Sequence, residues 1–279
     1  MTKSVSFLLF SILLLITACK SSYEKIRSSG DPQLILKAAD KYYQDKEYFK
    51  AQGLYELVLT AFRGQKEAEE IYFNYSYTHY YLSEYELSSH LFKTFANTFI
   101  NSQKKEEADF LSVYSLYRTS PGYRLDQSGT EKAIEGFQLF VNTYPNSKRI
   151  AECNKLIDEC RAKLELKAFE AGKLYYDMRN YQSCVTSLKN LLNDFPETKD
   201  HKEIRLMICK SNYLLAERSV FEKQKERYLD AKENAEDFLR RYPGGRTASE
   251  VNDIIKKIKQ KLKSQEYDRH QNTSAGNQP

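Results

Sequence analysis

A frame that recurs five times along the chain constrains its fold more than any other feature. It consists of a small residue, usually an aromatic four positions later, and a proline or its substitute eight positions after that. It reads Ala51, Tyr55, Arg63; then Ser88, Phe92, Ile100; then Ala133, Phe137, Pro145; then Cys184, Leu188, Pro196; and Ala231, Ala235, Pro243. The closing turns agree as well: Thr98-Phe99-Ile100-Asn101-Ser102 parallels Thr143-Tyr144-Pro145-Asn146-Ser147, and Asp194-Phe195-Pro196 and Arg241-Tyr242-Pro243 continue the series. A four-residue step returns to one face of a helix. Small residues on that face let two helix axes approach, aromatics fill the groove beyond, and proline ends the helix because it cannot continue the hydrogen-bond ladder.

Upstream of several frames stands a second half, a small residue three before a Tyr or His: Ala39 and Tyr42, Ser76 and His79, Gly172 and Tyr175. Together the halves resemble the tetratricopeptide repeat. The resemblance implies an all-α fold, a helical-hairpin solenoid of about five repeats. Successive frames stand farther apart than the ~34 residues of a minimal unit, so every repeat carries an extension. The first two repeats lack the closing proline, and the fifth has Ala235 where an aromatic is usual.

Apolar spacing and breakers predict helices near 32–46, 48–62, 67–82, 84–98 and 103–118. Ser120-Pro121-Gly122 then opens a loop, and Thr130 reads as the N-cap of the next helix. No proline interrupts Lys148 to Met178, which predicts one long helix serving two repeats; helices near 181–194, 199–222, 226–241 and 246–267 complete the series. Beyond Ser264 the chain turns polar, and a disordered tail is expected over 264–279.

The N-terminus carries a different signal. Lys3 precedes an apolar run from Val5 to Ile16, too short for the ~20 residues of a membrane span. Ile16-Thr17-Ala18-Cys19 resembles a lipobox, which implies that residues 1–18 are a signal peptide and that Cys19 carries covalent lipid. Two or more acyl chains anchor a protein stably where one does not. The expected organisation is therefore a lipidated linker over 19–31, repeats 1–3 over 32–147, repeats 4–5 with a capping helix over 148–263, and the tail. The bilayer is the first expected partner, through the anchor, and no other cofactor is expected.

Lys and Arg total 43 against 38 Asp and Glu, a net +5, which argues against a nucleic-acid partner. Of five cysteines, Cys153 and Cys160 are about 10.5 Å apart along one predicted helix, beyond disulfide reach of each other. No CxxC or close Cys–His pair suggests a metal, and buried free thiols are the simpler reading. His79, His90, His201 and His270 are scattered, and the ten glycines form no phosphate-cradling loop. The chain reads as a binder without a catalytic site.

Repeat arrays bind along a groove formed mainly by the first helix of each pair. Seven aromatic or His residues crowd Tyr72 to Tyr81, too many for one buried face. With Ser76 and His79 inward, Phe73, Tyr77, Tyr80 and Tyr81 are expected in the groove, extended by Tyr43, Tyr114 and Tyr117. Such a surface suits an extended peptide, and packing between helices is its competing explanation. On the last helix Val251, Ile254, Ile255, Ile258 and Leu262 form one apolar stripe, and Lys256, Lys259 and Lys263 are expected to dock a partner.

Length, lipobox and the segment Tyr117 to Ser147 are similar to the BamD family of outer-membrane lipoproteins. Ser120-Pro121-Gly122-Tyr123, Leu125-Asp126-Gln127 and Phe140-Val141-Asn142-Thr143-Tyr144-Pro145 carry that likeness. The resemblance implies a scaffold of the β-barrel assembly machinery, anchored in the outer membrane and facing the periplasm. Its N-terminal repeats would take up unfolded β-barrel proteins, and its C-terminal half would dock the POTRA domains of the barrel-assembly subunit. A scaffold for cell-wall or division complexes and a surface nutrient-binding lipoprotein are the alternatives.

Overall fold

A computed structural model describes residues 22–275, with side chains as far as Glu266. Residues 1–18, the expected lipid site Cys19 and residues 276–279 lie outside the described residues. Twelve helices and no strand make up the described chain: α1 Ser22–Arg27, α2 Pro32–Gln44, α3 Tyr48–Val58, α4 Ala68–Tyr81, α5 Tyr85–Thr98, α6 Lys105–Thr119, α7 Ser128–Thr143, α8 Ile150–Asp177, α9 Tyr181–Asp194, α10 His201–Glu217, α11 Phe221–Arg241 and α12 Arg246–Ala275. Helices α2 to α11 pair as five hairpins and α12 follows as a cap, the tetratricopeptide-type arrangement that the frame predicts.

Packing explains the frame. Ala51, Ser88, Ala133, Cys184 and Ala231 are all fully buried, and so are Tyr55, Phe92, Phe137, Leu188 and Ala235 four positions later. A third fixed point emerges from the structure: Thr78, Ser115, Cys160, Ser211 and Ile258, each 27 residues after the small residue, are equally buried. Two of these pairs touch through polar atoms, Ser88 Oγ to Ser115 Oγ at 3.3 Å and Cys184 Sγ to Ser211 Oγ at 3.2 Å. The step from the second helix of one repeat to the first helix of the next is therefore constant. The extensions fall later, between that first helix and its own partner.

Three hairpin turns share one geometry. Lys46, Ser83 and Arg179 have φ of 61°, 64° and 60°. The next backbone N–H returns to the carbonyl of Tyr42, His79 or Tyr175, at 2.8, 2.9 and 2.9 Å. These are the six-to-one bonds of a Schellman ending, made here without glycine. Their acceptors are the Tyr or His positions of the upstream half-frame. At the start of α2, Asp31 accepts from the N–H groups of Gln33 and Leu34 while Pro32 takes the first helical position.

The described residues divide into two compact units. Among them, unit 1 comprises residues 22–121 and 126–160, and unit 2 residues 122–125 and 161–275. The division falls inside α8, after Cys160, whereas the sequence placed it between 147 and 148. Unit 1 has two apolar clusters. One is centred on Tyr55, Leu54 and Phe62, the other on Phe92, Phe95 and Phe137. In unit 2, Leu188 and Ile204 form one cluster, Phe238 and Val251 another, and Tyr228 and Ile258 a third.

Four expectations need correction. The linker 19–31 contains α1, whose Tyr23 and Ile26 pack on the first cluster, with Tyr23 edge-on to Tyr42 at 5.9 Å. Thr130 is not the N-cap of α7. It lies inside the first turn and donates to Gln127 Oε1 at 2.7 Å, while Ser128 N–H donates to Asp126. The helices expected at 199–222 and 226–241 meet earlier, because α10 stops at Glu217 and α11 begins at Phe221. Helix α12 continues to Ala275, past the expected start of the tail at Ser264.

Gly172 marks the closest approach of α8 and α9. A Cβ there would lie 2.8 Å from Leu188 Cγ, and Leu188 is fully buried and has nowhere to move. Overpacking costs ~1–3 kcal/mol, and the helix propensity gained from alanine returns ~1 kcal/mol. Gly172→Ala should lower the thermal midpoint by about 2–4 °C per net kcal/mol lost. Gly244→Ala, with nothing within 4 Å of the added carbon, should leave it nearly unchanged. A Gly172→Ala midpoint above the native one would refute the close approach.

Candidate functional site

Unit 1 carries a line of tyrosines on its first helices and at its hairpin turns. In α4 the inward positions are Ile71, Tyr75, Thr78 and His79, all buried. His79 is held by its turn: its Nδ1 lies 2.5 Å from Glu84 Oε2, and Gln52 Nε2 donates to that same carboxylate at 2.7 Å. With these residues fixed inward, Tyr77, Tyr80 and Tyr81 must emerge on the opposite side of the helix.

There they form a continuous ladder. Tyr43 meets Tyr48 edge-on at 5.8 Å, and Tyr48 stacks on Tyr81 at 4.2 Å with planes 17° apart. Tyr81 stacks on Tyr77 at 5.6 Å and meets Tyr80 edge-on at 5.7 Å. Tyr80 lies 6.3 Å from Tyr114, and Tyr114 lies 5.7 Å from Tyr117. Spacings of this order are those at which aromatic pairs attract beyond their buried area. Tyr81 is the most open rung, at 46% exposure.

Polar anchors fix the ladder from the side. Tyr77 donates to Glu107 at 2.5 Å and Tyr117 to Glu159 at 2.7 Å. Arg118 donates to Tyr80 at 3.3 Å and lies over the Tyr85 ring at 4.6 Å. Burial first, and then Glu107, raise the Tyr77 phenol well above its ordinary value. The hydrogen bond to Glu159, with burial second, pushes Tyr117 up to about 12. Burial likewise raises Tyr80 and Tyr81. These rungs present neutral rings and neutral hydroxyls across the physiological range.

Six of the seven groove residues expected from the sequence, Tyr43, Tyr77, Tyr80, Tyr81, Tyr114 and Tyr117, are brought together here. Phe73 is not. It is buried, meeting Phe92 at 5.8 Å and Phe95 at 5.0 Å, because its place one turn before Tyr77 faces the following hairpin. Two rungs were missed, Tyr48 and Tyr85, each the first residue of a second helix. Their signal was the turn itself: each stands two residues after the positive-φ residue.

The remaining candidates belong to other elements. Lys256, Lys259 and Lys263 are exposed on α12, while Val251, Ile254, Ile255 and Ile258 are buried against α10 and α11. The apolar stripe is thus spent inside the protein. Cys153, Cys160, Cys184 and Cys209 are all buried, and burial pushes the Cys209 thiol up to about 12. Among the described residues no group of His, Cys, Asp and Glu could hold a metal ion.

The family of outer membrane lipoproteins called YfiO matches residues 29–227. The chain belongs to the YfiO family. This is the BamD-like lipoprotein family that the lipobox and the loop before Ala133 resemble, and it makes the chain an outer membrane lipoprotein. The match spans the ladder and ends inside α11, ahead of α12. A comparison with curated proteins gives no match. No helix of this YfiO-family lipoprotein, among the described residues, is long and apolar enough to cross a membrane.

The anchored phenols allow a direct check. A raised phenol is neutral in the fold, so its contribution to stability is complete below the unfolded value near 10.0 and is lost as pH rises through about 12. In a spectrophotometric titration, the difference between wild type and Tyr117→Phe should show one phenol ionising near about 12. Ionisation near 10.0 would mean that Glu159 does not hold Tyr117.

Proposed function

We propose that this lipoprotein is a periplasm-facing scaffold of the β-barrel assembly machinery, tethered by lipid on Cys19 and acting by binding alone. Unit 1 receives an extended, aromatic-bearing segment of an unfolded outer-membrane β-barrel protein along the tyrosine ladder. Unit 2 docks the barrel-assembly subunit through its POTRA domains. Membership of an outer membrane lipoprotein family supports the location.

The ladder itself carries the reading for unit 1. Its rungs are pre-stacked, so a segment laid across them orders few side chains that were mobile before, which lowers the entropic cost of binding. Tyrosine also offers each ring face together with a hydroxyl, so the neighbouring peptide groups of an extended chain find a partner beside every apolar contact.

Tyr81 tests the reading because it is the most exposed rung and supports little of the core. Tyr81→Ala should weaken binding of a synthetic aromatic-ending β-strand peptide by roughly tenfold, the equivalent of ~1.4 kcal/mol, with a thermal midpoint within about 2 °C of wild type. In cells, depletion of the protein should lower the amount of folded β-barrels in the outer membrane. Unchanged barrel levels, or peptide affinity indifferent to Tyr81, would remove the assignment.

A further inference from the structure

Helix α12 presents the most concentrated charge of one sign in the described chain. Lys256, Lys257, Lys259, Lys261 and Lys263 fall within eight residues, and no carboxylate stands between Ile254 and Gln265. All five are exposed. Among the described residues none takes part in an ion pair, although Lys210 and Lys232 in the same unit each find a glutamate.

Two ordinary explanations fail. The lysines do not complement the negative end of the helix dipole, since that effect is confined to the last turn and α12 runs on to Ala275. Nor do they support the helix through neighbouring pairs: Lys257 and Lys261, and Lys259 and Lys263, are like charges four residues apart, which repel. The apolar stripe of α12 and the Gln265 amide, bonded to Gln224 at 2.8 Å, already hold the helix in place. What remains outward is polar, and from Lys256 to Lys263 all of its charge is positive. At 3.6 residues per turn, Lys256, Lys259 and Lys263 lie within roughly one sixth of a turn of each other, on the exposed side of the helix along one flank of the buried stripe.

We infer that this face of α12 rests on an anionic phospholipid surface. The residue type selects that partner over an acidic protein. All the cations from Val251 to Glu266 are lysines, hydrated point charges without the planar fork that recognises a particular carboxylate. Such groups suit a diffuse sheet of phosphates, to which several lysines contribute additively. Membership of an outer membrane lipoprotein family puts a bilayer within reach of the chain, and an anionic surface relieves the repulsion along the helix. The inference uses the location of the family and not the peptide-binding role of unit 1.

The test uses the full chain with Cys19→Ser, so that no acyl group contributes, and vesicles of phosphatidylcholine with or without phosphatidylglycerol. The chain should co-sediment with the anionic vesicles only, and high salt should release it, because the screening length falls from ~10 Å at 0.1 M to ~3 Å at 1 M salt. Changing Lys256, Lys259 and Lys263 together to Gln should weaken the partition at least tenfold, and changing them to Arg should leave it intact. Circular dichroism should show both variants folded. Equal binding to neutral vesicles, or a Gln variant that binds like wild type, would overturn the inference. A Gln variant that keeps its vesicle binding but no longer co-purifies with the barrel-assembly subunit would assign the face to a protein instead. Affinity for the aromatic-ending peptide should be unchanged in every variant, so the outcome is independent of the tyrosine ladder.

Discussion

Two helices can lie side by side at short range only where no bulky side chain stands between them, and this chain meets that requirement once per repeat. Ala51, Ser88, Ala133, Cys184 and Ala231 are the places where it does so, all without exposed surface. In the first four repeats the residue 27 positions later is also modest in size: Thr78, Ser115, Cys160 and Ser211. The fifth has Ile258, on α12, the last of the described helices. The buried serines keep hydrogen bonds at the contact, Ser88 with Ser115 and Cys184 with Ser211, so polarity is tolerated there because each group finds a partner.

A constant step between repeats and a variable one within them have different consequences. The step from one repeat to the next crosses the closest packing, where a shift of one residue would rotate a bulky side chain into the contact. Extra residues are admitted away from that contact: in the fourth and fifth repeats they lengthen the helices while the turns stay short, and in the third they form a connection. The α6–α7 segment is the added connection. It runs from Ser120 to Gln127, and Ser128 and Thr130 are tied back to Asp126 and Gln127 before α7 settles. Tolerance of this kind is expected of surface connections, whose added length costs little closure entropy.

The fold was legible because its rule is periodic and local. A small residue, then an aromatic on the same face, then a stop, can be read without knowing what lies opposite. The errors share a different cause. Phe73 and Tyr77 are one turn apart with similar chemistry, and only the position of the next hairpin decides which is buried. Thr130 has the chemistry of an N-cap, but Asp126 and Gln127 just before it bind the first turn and move the start of the helix upstream. Tyr48 and Tyr85 begin the second helices of their pairs, whereas a repeat groove is formed mainly by first helices. Their place follows from the left-handed residue two positions before them, a backbone state that is rare for Lys and Ser and hard to see in sequence.

That turn also explains why the ladder is continuous. A Schellman ending with a non-glycine residue carries a cost of about 1–2 kcal/mol in backbone strain, and the tyrosine that follows it offsets part of this by stacking. Tyr48 lies flat on Tyr81, and Tyr85 is covered by Arg118; in unit 2 Tyr181 is covered in the same way by Arg218, at 5.3 Å. The residue at the end of each following first helix closes over the tyrosine at the start of the preceding second helix. In the first pair alone the covering residue is itself a tyrosine, so the chain of rings passes through without a break and leaves Tyr81 open at its outer face. Replacing that one cation by an aromatic joins what would otherwise be separate turn contacts into a single surface.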